Sequence, residues 1–330
     1  MIKLGIIGIG SMGCLFAARL NDRADVVMVG HWPEQLAALR QNGLTLLTPQ
    51  GRSRHHVIRA TDDLTTVGTV DAALILVKSH QTSRAAAQTS QILADDGIAL
   101  TLQNGLGNGE LLTAVLGSER VASGVTSEGA NIVAPGWVQH AGTGHTHLAP
   151  STKTQTSRSR LIQLAELFND VGFPTSLIDN ADTLLWGKLA VNAGINPLTA
   201  LLQVPNGFLA ENEGARRLMM QTAAEVALVA EMKGIPLPYP DAPQQALSVA
   251  TETATNQSSM LQDILRGAPT EIEAICGAVV QNGRLLGIPT PLNQHLLTLI
   301  KRVEQGQNPH PLITPRSPFI SIRHLLPDDS

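Results

Sequence analysis

Residues Ile2-Lys3-Leu4-Gly5-Ile6-Ile7-Gly8-Ile9-Gly10-Ser11-Met12-Gly13 open the chain with a compact apolar run that ends in a GxGxxG pattern. The run reads as a β-strand, and Met12–Leu20 behind it repeats apolar residues at helical spacing. Strand, glycine turn and helix in that order are the context in which the pattern has a mechanism. Gly8 permits the tight turn, Gly10 lets the backbone approach a pyrophosphate, and Gly13 lets the helix pack close to the strand. The helix start then offers backbone N–H groups to phosphates. Gly8, Ile9, Gly10, Ser11, Met12 and Gly13 are therefore the candidate dinucleotide-binding residues.

The pattern repeats outward from this unit. Asp25–Val29 is a second short apolar run and Pro33–Gln41 is helical. Ala72–Val77 and Ile98–Leu102 are continuous apolar runs with a helical Ser83–Leu93 between them. Continuous rather than alternating strands imply a parallel sheet covered on both faces, so the first half reads as an α/β, Rossmann-type domain. From Val121 to Leu148, turns at Pro135-Gly136 and Gly142-Thr143-Gly144 predict antiparallel strands. Ser151–Ser159 reads as a surface loop, Leu161–Val171 as a helix and Pro174–Ile178 as a short strand. After Asp179 nearly every segment has helical period, with breaks expected at Pro197, Pro205, Gly207, Gly234-Ile235-Pro236, Pro269 and Pro289-Thr290-Pro291. The expected division is an NAD(P)-binding domain over 1–178 and an all-α substrate and catalytic domain over 179–330. Prolines 309, 311, 315, 318 and 327 predict an irregular tail after residue 306.

Bulk composition agrees. At roughly 150 residues per domain, 330 residues predict two domains. Only 15% of residues are charged and 3% aromatic, so the cores must come from Ala, Leu, Val and Ile. Lys and Arg number 23 against 27 Asp and Glu, a net charge of −4, which argues against a nucleic-acid partner. Cys14 and Cys276 lie too far apart for a disulfide framework and lack metal-ligand spacing, so both read as core residues of a reducing compartment. The start lacks the features of a signal peptide, and no apolar run approaches the ~20 residues of a membrane span. The expectation is a cytoplasmic protein without a membrane partner and without a metal. His145-Thr146-His147 puts two imidazoles on one strand face but has no third ligand, and His55-His56 reads as surface.

The second strand ends at Val29-Gly30-His31-Trp32-Pro33. NAD sites usually carry an acid there and NADP sites often an Arg. Neither is present, and Glu34 lies past the strand. The missing acid favours NADP(H), while the missing Arg leaves NAD(H) open. His31 could donate to a 2′-phosphate, and Arg52 or Arg54 could reach it. Lys78 follows one predicted parallel strand, and Asn104, in Gln103-Asn104-Gly105-Leu106-Gly107, follows another. Both sit where such sheets bind ligands, although Asn-Gly is also a generic turn.

Leu185–Ala200 carries the chemistry. Lys188, Asn192 and Asn196 are spaced i, i+4 and i+8, one face of a helix whose other positions are apolar. Unsatisfied, each such group would cost about 1–3 kcal/mol in a core, so the stripe fits a polar cleft, the alternative being a solvent-facing stripe. A lysine in a partly dry cleft has a lowered pKa and can protonate a developing alkoxide, with the two asparagines orienting it.

The chain resembles the ketopantoate reductase family over about residues 1–305. The resemblance rests on the GxGxxG, Lys78, Asn104-Gly105, the block from Lys188 to Ala200, Pro205-Asn206-Gly207, Ser258–Asp263 and Thr270-Glu271-Ile272. It implies NADPH-dependent reduction of a small 2-keto acid, 2-dehydropantoate, to (R)-pantoate on the way to pantothenate and coenzyme A. It further implies Lys188 as general acid, Glu271 on the substrate hydroxyl, and Ser259 on the substrate carboxylate. Asn192, Asn196, Asn206 and Asn256 would line the pocket, with Lys78 and Asn104 at the nicotinamide end. The alternatives are a reductase of another 2-keto acid and a dinucleotide-sensing protein without turnover. By spacing, Asn256, Ser259 and Asp263 share a helical face, and Glu271 opens a helix ending near Leu286, where the helix dipole alone would also favour it. Thr270 and Glu273 fit a capping box. Many relatives carry Arg where His31 or Trp32 stands, and often His where Glu128 stands. The fold leads us to expect the substrate cleft between the domains and, from the helical half, a homodimer interface.

Overall fold

The structure, a computed structural model, describes residues 1–152 and 154–307; the expected irregular tail lies outside them from residue 308 on. Contacts group the chain into two compact units. The first holds residues 1–103 and 107–181, and the second holds 104–106 with the chain from Asp182. The grouping changes at Ala181, three residues past the expected boundary.

In the first unit, β1 (Lys3–Ile7), α1 (Ser11–Leu20), β2 (Asp25–Val29) and α2 (Pro33–Asn42) come first. The short strands β3 (Leu44–Leu47), β4 (Ser53–His56) and β5 (Arg59–Thr61) follow, then β6 (Val70–Ile75), α3 (Thr82–Ile92), β7 (Leu93–Thr101) and α4 (Asn108–Leu116). Next come β8 (Val121–Thr126), β9 (Gly129–Ala134), β10 (Trp137–Gly142), β11 (Thr146–Pro150), α5 (Gln155–Asp170) and β12 (Thr175–Leu177). Eight strands form one sheet in the order β12-β11-β8-β7-β6-β1-β2-β5. It is parallel from β8 to β5, and β11 runs antiparallel to β8.

Side-chain alternation explains the continuous apolar runs. Leu4, Ile6, Val26, Met28, Ala72 and Leu74 enter one core with α1 and α5. Their neighbours Ile7, Val27, Val29, Ala73 and Ile75 enter a second with α3 and α4. Both faces are covered, so neither set can be polar. Phe16 stacks on Phe173 at 4.5 Å and meets Phe168 at 5.3 Å, which places three of the five phenylalanines at one spot.

A second sheet, β4-β3-β10-β9, lies beside α1 and corrects the sequence reading. The 121–148 segment does contain antiparallel pairs, but it divides between the two sheets: β8 and β11 join the large one, β9 and β10 the small one. The β3–β4 hairpin escaped notice because Ser53-Arg54-His55-His56 is polar and mostly exposed. The expected loop over Ser151–Ser159 is also shorter. The helix α5 starts at Gln155, with the Thr154 hydroxyl accepting the Ser157 N–H, so part of that Ser/Thr run is a helix cap.

The second unit is helical: α6 (Asp182–Leu202), α7 (Asn206–Glu211), α8 (Glu213–Met232), α9 (Ala242–Glu252), α10 (Ser259–Leu265), α11 (Ala278–Leu286) and α12 (Pro291–Glu304). A π-helical turn, Glu273–Gly277, leads into α11. Pro197 does not break α6 as expected. It removes the N–H that the Ala193 carbonyl would take. Every residue from Ala193 to Leu202 is buried, and packing holds the helix through the defect. No helix among the described residues is long and apolar enough to cross a membrane.

Candidate active site

The glycine turn behaves as its chemistry requires. Gly8 has φ +124°, and a Cβ there would sit 2.7 Å from the Leu76 carbonyl oxygen. A Cβ on Gly13 would lie 2.0 Å from the Gly8 carbonyl oxygen. Gly10 is different: none of the described residues lies within 4 Å of its Cβ position, which leaves room there for a ligand beside the backbone. It is the N-cap of α1, and no side chain caps that helix. The cradle thus fits a pyrophosphate on a helix N-terminus. Ile9 is buried and packs where a Cβ on Gly30, at the tip of β2, would fall. Ser11 and Met12 are partly exposed on the first turn. Gln35 donates to Cys14 Sγ at 3.1 Å and accepts the Gly136 N–H, and burial pushes the Cys14 thiol up to about 12. Burial likewise raises the Cys276 thiol.

At the tip of β2, His31 is exposed, and its Nε2 lies 2.9 Å from Gln88 Nε2. Arg54 does not serve this place. It pairs with Asp22 at 2.9 Å, just past the C-terminus of α1 and so at the opposite edge of the sheet from the glycine turn. Arg52 belongs to the turn of the same hairpin, where its carbonyl accepts the Thr48 N–H.

The loops after β6 and β7 are tied together by one buried amide. Gln103 Nε2 donates to the Val77 carbonyl at 2.9 Å and to Thr82 Oγ1 at 2.8 Å, and its Oε1 accepts from Thr101. Thr82 in turn donates to Asn108 Oδ1 at 2.8 Å. Lys78, partly exposed, follows Val77 and is the N-cap position of the short 3-10 turn Ser79–Gln81, its carbonyl accepting the Gln81 N–H at 2.8 Å. Sequence reasoning gave Gln103 no role, because a Gln at a strand end carries no local signal of burial.

The second unit gathers the other candidates. Lys188, Asn192 and Asn196 all lie on α6, the first two partly exposed and Asn196 buried. Lys188 keeps some accessible surface, yet protein packs densely around it. That burial lowers its pKa to about 8, against the opposing pull of the Glu271 carboxylate. Glu271 is buried and accepts from Asn104 Nδ2 at 3.2 Å. The Asn104 loop is fixed there: Leu106 N–H donates to the Ala274 carbonyl at 2.9 Å, and a Cβ on Gly105 (φ +81°) would meet that carbonyl oxygen at 2.5 Å.

Asn206, buried at the start of α7, donates to Thr253 Oγ1 at 2.9 Å, while its Oδ1 has no partner among the described residues. The Asn206 and Gly207 N–H groups donate to the Asn256 and Ala254 carbonyls, each at 3.0 Å, holding the 253–256 turn against α7. Ser259 is the first residue of α10. Its neighbour Ser258 caps that helix by accepting the Leu261 N–H and takes the Thr199 hydroxyl at 2.7 Å.

Three local expectations change. Asn256 is exposed in a loop before α10, so it shares no helical face with Ser259 and Asp263. Glu271 precedes the π-turn instead of opening a regular helix. Thr270 does cap this segment by accepting the Ile272 N–H, but Glu273 pairs with Lys301 of α12 and makes no capping box. Such π-turns recur at functional sites.

Glu128 also finds an explanation. Arg19 Nη2 can only donate, so His140 Nδ1 accepts at 3.2 Å. His140 Nε2 then carries the hydrogen and donates to Glu128 Oε2 at 2.5 Å. Glu128 Oε1 accepts the Gly144 N–H, and the chain of contacts locks the small sheet to α1. His145 and His147 rings lie 5.1 Å apart, His147 bonded to the Ser176 hydroxyl, and no third metal ligand joins them among the described residues.

Known proteins match this architecture throughout. The family model described as Ketopantoate reductase PanE/ApbA matches residues 4–153, and that described as Ketopantoate reductase PanE/ApbA C terminal matches residues 180–304. The 2-dehydropantoate 2-reductase of Halobacterium salinarum is 33% identical over 92% of this chain and 99% of its own. A crystal structure of a PanE/ApbA family ketopantoate reductase from Ralstonia eutropha superposes with a TM-score of 0.84 at 32% identity, covering 93% of this chain and 99% of that one. D-mandelate dehydrogenase, in a ternary structure with NADH and anilino(oxo)acetate, shares the fold with a TM-score of 0.87 at 24% identity, covering 92% and 99% of the two chains.

Proposed function

The chain belongs to the ketopantoate reductase family, and from that premise we propose that it reduces 2-dehydropantoate to (R)-pantoate with NADP(H), Lys188 being the general acid. The observation that carries this reading is Lys188 itself: a lysine on a mostly buried helix, its pKa lowered to about 8, within the field of the buried carboxylate of Glu271.

NADPH, when bound, supplies the hydride that the keto carbon takes up. Its pyrophosphate would rest on Gly8, Ile9, Gly10, Ser11, Met12 and Gly13, with Lys78 and Asn104 toward the nicotinamide end. The keto oxygen gains negative charge as its π-bond opens. Lys188 Nζ gives that oxygen a proton, leaving a hydroxyl on the product and a neutral amine on the enzyme. Glu271 accepts the substrate's own hydroxyl and favours the charged form of Lys188. Asn104, by donating to Glu271 Oε2, helps to orient that carboxylate. Ser259 holds the substrate carboxylate, and Asn192, Asn196 and Asn256 complete the polar lining. The unpartnered Asn206 Oδ1 is an acceptor that a substrate hydroxyl would satisfy. Such chemistry suits a cytoplasmic enzyme with a small-molecule substrate, a helical unit able to pack against a second copy, and no metal.

Replacing Lys188 with Ala tests the assignment. The expected result is a fall in kcat of about 10²–10⁴-fold with the NADPH dissociation constant unchanged. Unaltered turnover would remove Lys188 from the mechanism.

A further inference from the structure

We propose that Arg84, in the first turn of α3, selects the 2′-phosphate of NADP(H), with His31 and Gln88 forming the neutral ground beside it. The proposal rests on the reading that the first unit binds a dinucleotide.

In a sheet of this kind the second strand's tip meets the adenosine ribose, and discrimination depends on the charge presented there. The tip itself, Val29-Gly30-His31-Trp32, has neither an acid nor an arginine. The guanidinium comes instead from another element. Helix α3 follows β6 through the turn at Lys78 and starts at the edge of the sheet where the glycine turn lies. Gln88 of α3 touches His31 Nε2 at 2.9 Å, which fixes the helix face turned toward the tip of β2. Arg84 is four residues before Gln88, on that same face and one turn nearer the ligand edge.

Each neighbour of His31 has a defined role. The Gln88 amide nitrogen can only donate, so His31 Nε2 accepts and its hydrogen stays on Nδ1. Burial, then the Arg84 charge, hold the imidazole's pKa below its ordinary value, with Asp62 pulling the other way. The lowered pKa makes His31 a poorer source of fixed positive charge than Arg84. Asp62 would repel a phosphate, but Arg40 neutralises it through an Nη2–Oδ1 contact of 2.6 Å. Arg84 is exposed and has no ion-pair partner among the described residues. A guanidinium so placed is available for the two-pronged grip that suits a phosphate.

Titration of NADPH and NADH into the full-length protein, followed by nicotinamide fluorescence, tests this without substrate. The wild type should bind NADPH more tightly. Arg84→Ala should weaken NADPH about 10–100-fold, the range for a hydrogen bond to a charged group, and leave NADH within about twofold. Arg84→Lys should recover part of the loss. Arg54→Ala, at the opposite edge, should change neither. Equal losses for both cofactors would mean that Arg84 stacks on the adenine, and would overturn the proposal. So would no loss, a wild type indifferent to the phosphate, or the same shift from Arg54→Ala. Failure of the reductase reading looks different: selective NADPH binding would survive with no turnover of 2-dehydropantoate.

Discussion

Lys188 can act as a general acid only while it holds its proton. Burial brings its pKa down from 10.5 to about 8, so the proton is present at pH 7 and lost as pH rises through about 8. In the direction of reduction, kcat/KM should therefore be flat below pH 8 and fall tenfold per pH unit well above it. The reverse oxidation, which needs the neutral amine, should rise over the same range. The sign for stability is the opposite of the usual lysine case. The folded chain binds fewer protons than the unfolded one between about pH 8 and 10.5, so this group's contribution to stability grows with pH across that window. A pH–rate profile without a break near 8 would mean that another group delivers the proton. That Lys188, Asn192 and Asn196 lie on one helix was legible because their spacing is a local property. The Asn104–Glu271 bond joins residues 167 positions apart. Arg84 looks like any exposed helix arginine until α3 is laid against the tip of β2.

Two glycines of one turn, at the scale of the element, should respond differently to the same added methyl group. Gly10→Ala meets no described residue within 4 Å, so the protein should keep its melting temperature and, on the proposed reading, lose NADPH affinity, because the new Cβ would stand where a bound phosphate would approach. Gly13→Ala would put a Cβ 2.0 Å from the Gly8 carbonyl, a backbone atom that cannot step aside, so it should lose both stability and binding. Thermal denaturation paired with NADPH titration separates the two outcomes; unchanged binding by Gly10→Ala would show that the turn holds no phosphate. The turn was readable because strand, glycines and helix are contiguous. Elements were missed where local signals conflict with packing. The hairpin β3–β4 has a polar, exposed second strand, and α6 continues through Pro197 because the surrounding core outweighs one lost hydrogen bond. The π-turn after Glu271 is met by Lys301 at Glu273 and by the Leu106 N–H at the Ala274 carbonyl, partners that no local sequence window contains.

Over the whole molecule, a low charge content leaves few ionisable groups inside, and those few are informative. The first unit spends its apolar residues on two cores either side of a parallel sheet, and the second on one helical core. The division into an α/β half and a helical half was legible from the switch of hydrophobic period near residue 178. The grouping of Asn104–Leu106 with the helical unit was not, since it arises from contacts with the π-turn across a large sequence separation. The most direct test is the reaction itself, run with the intact chain, 2-dehydropantoate and NADPH, with product and cofactor both quantified. One pantoate should form for each NADPH oxidised, with 2-dehydropantoate preferred over other 2-keto acids in kcat/KM. Tight NADPH binding without turnover, or faster reduction of a different 2-keto acid, would contradict the assignment.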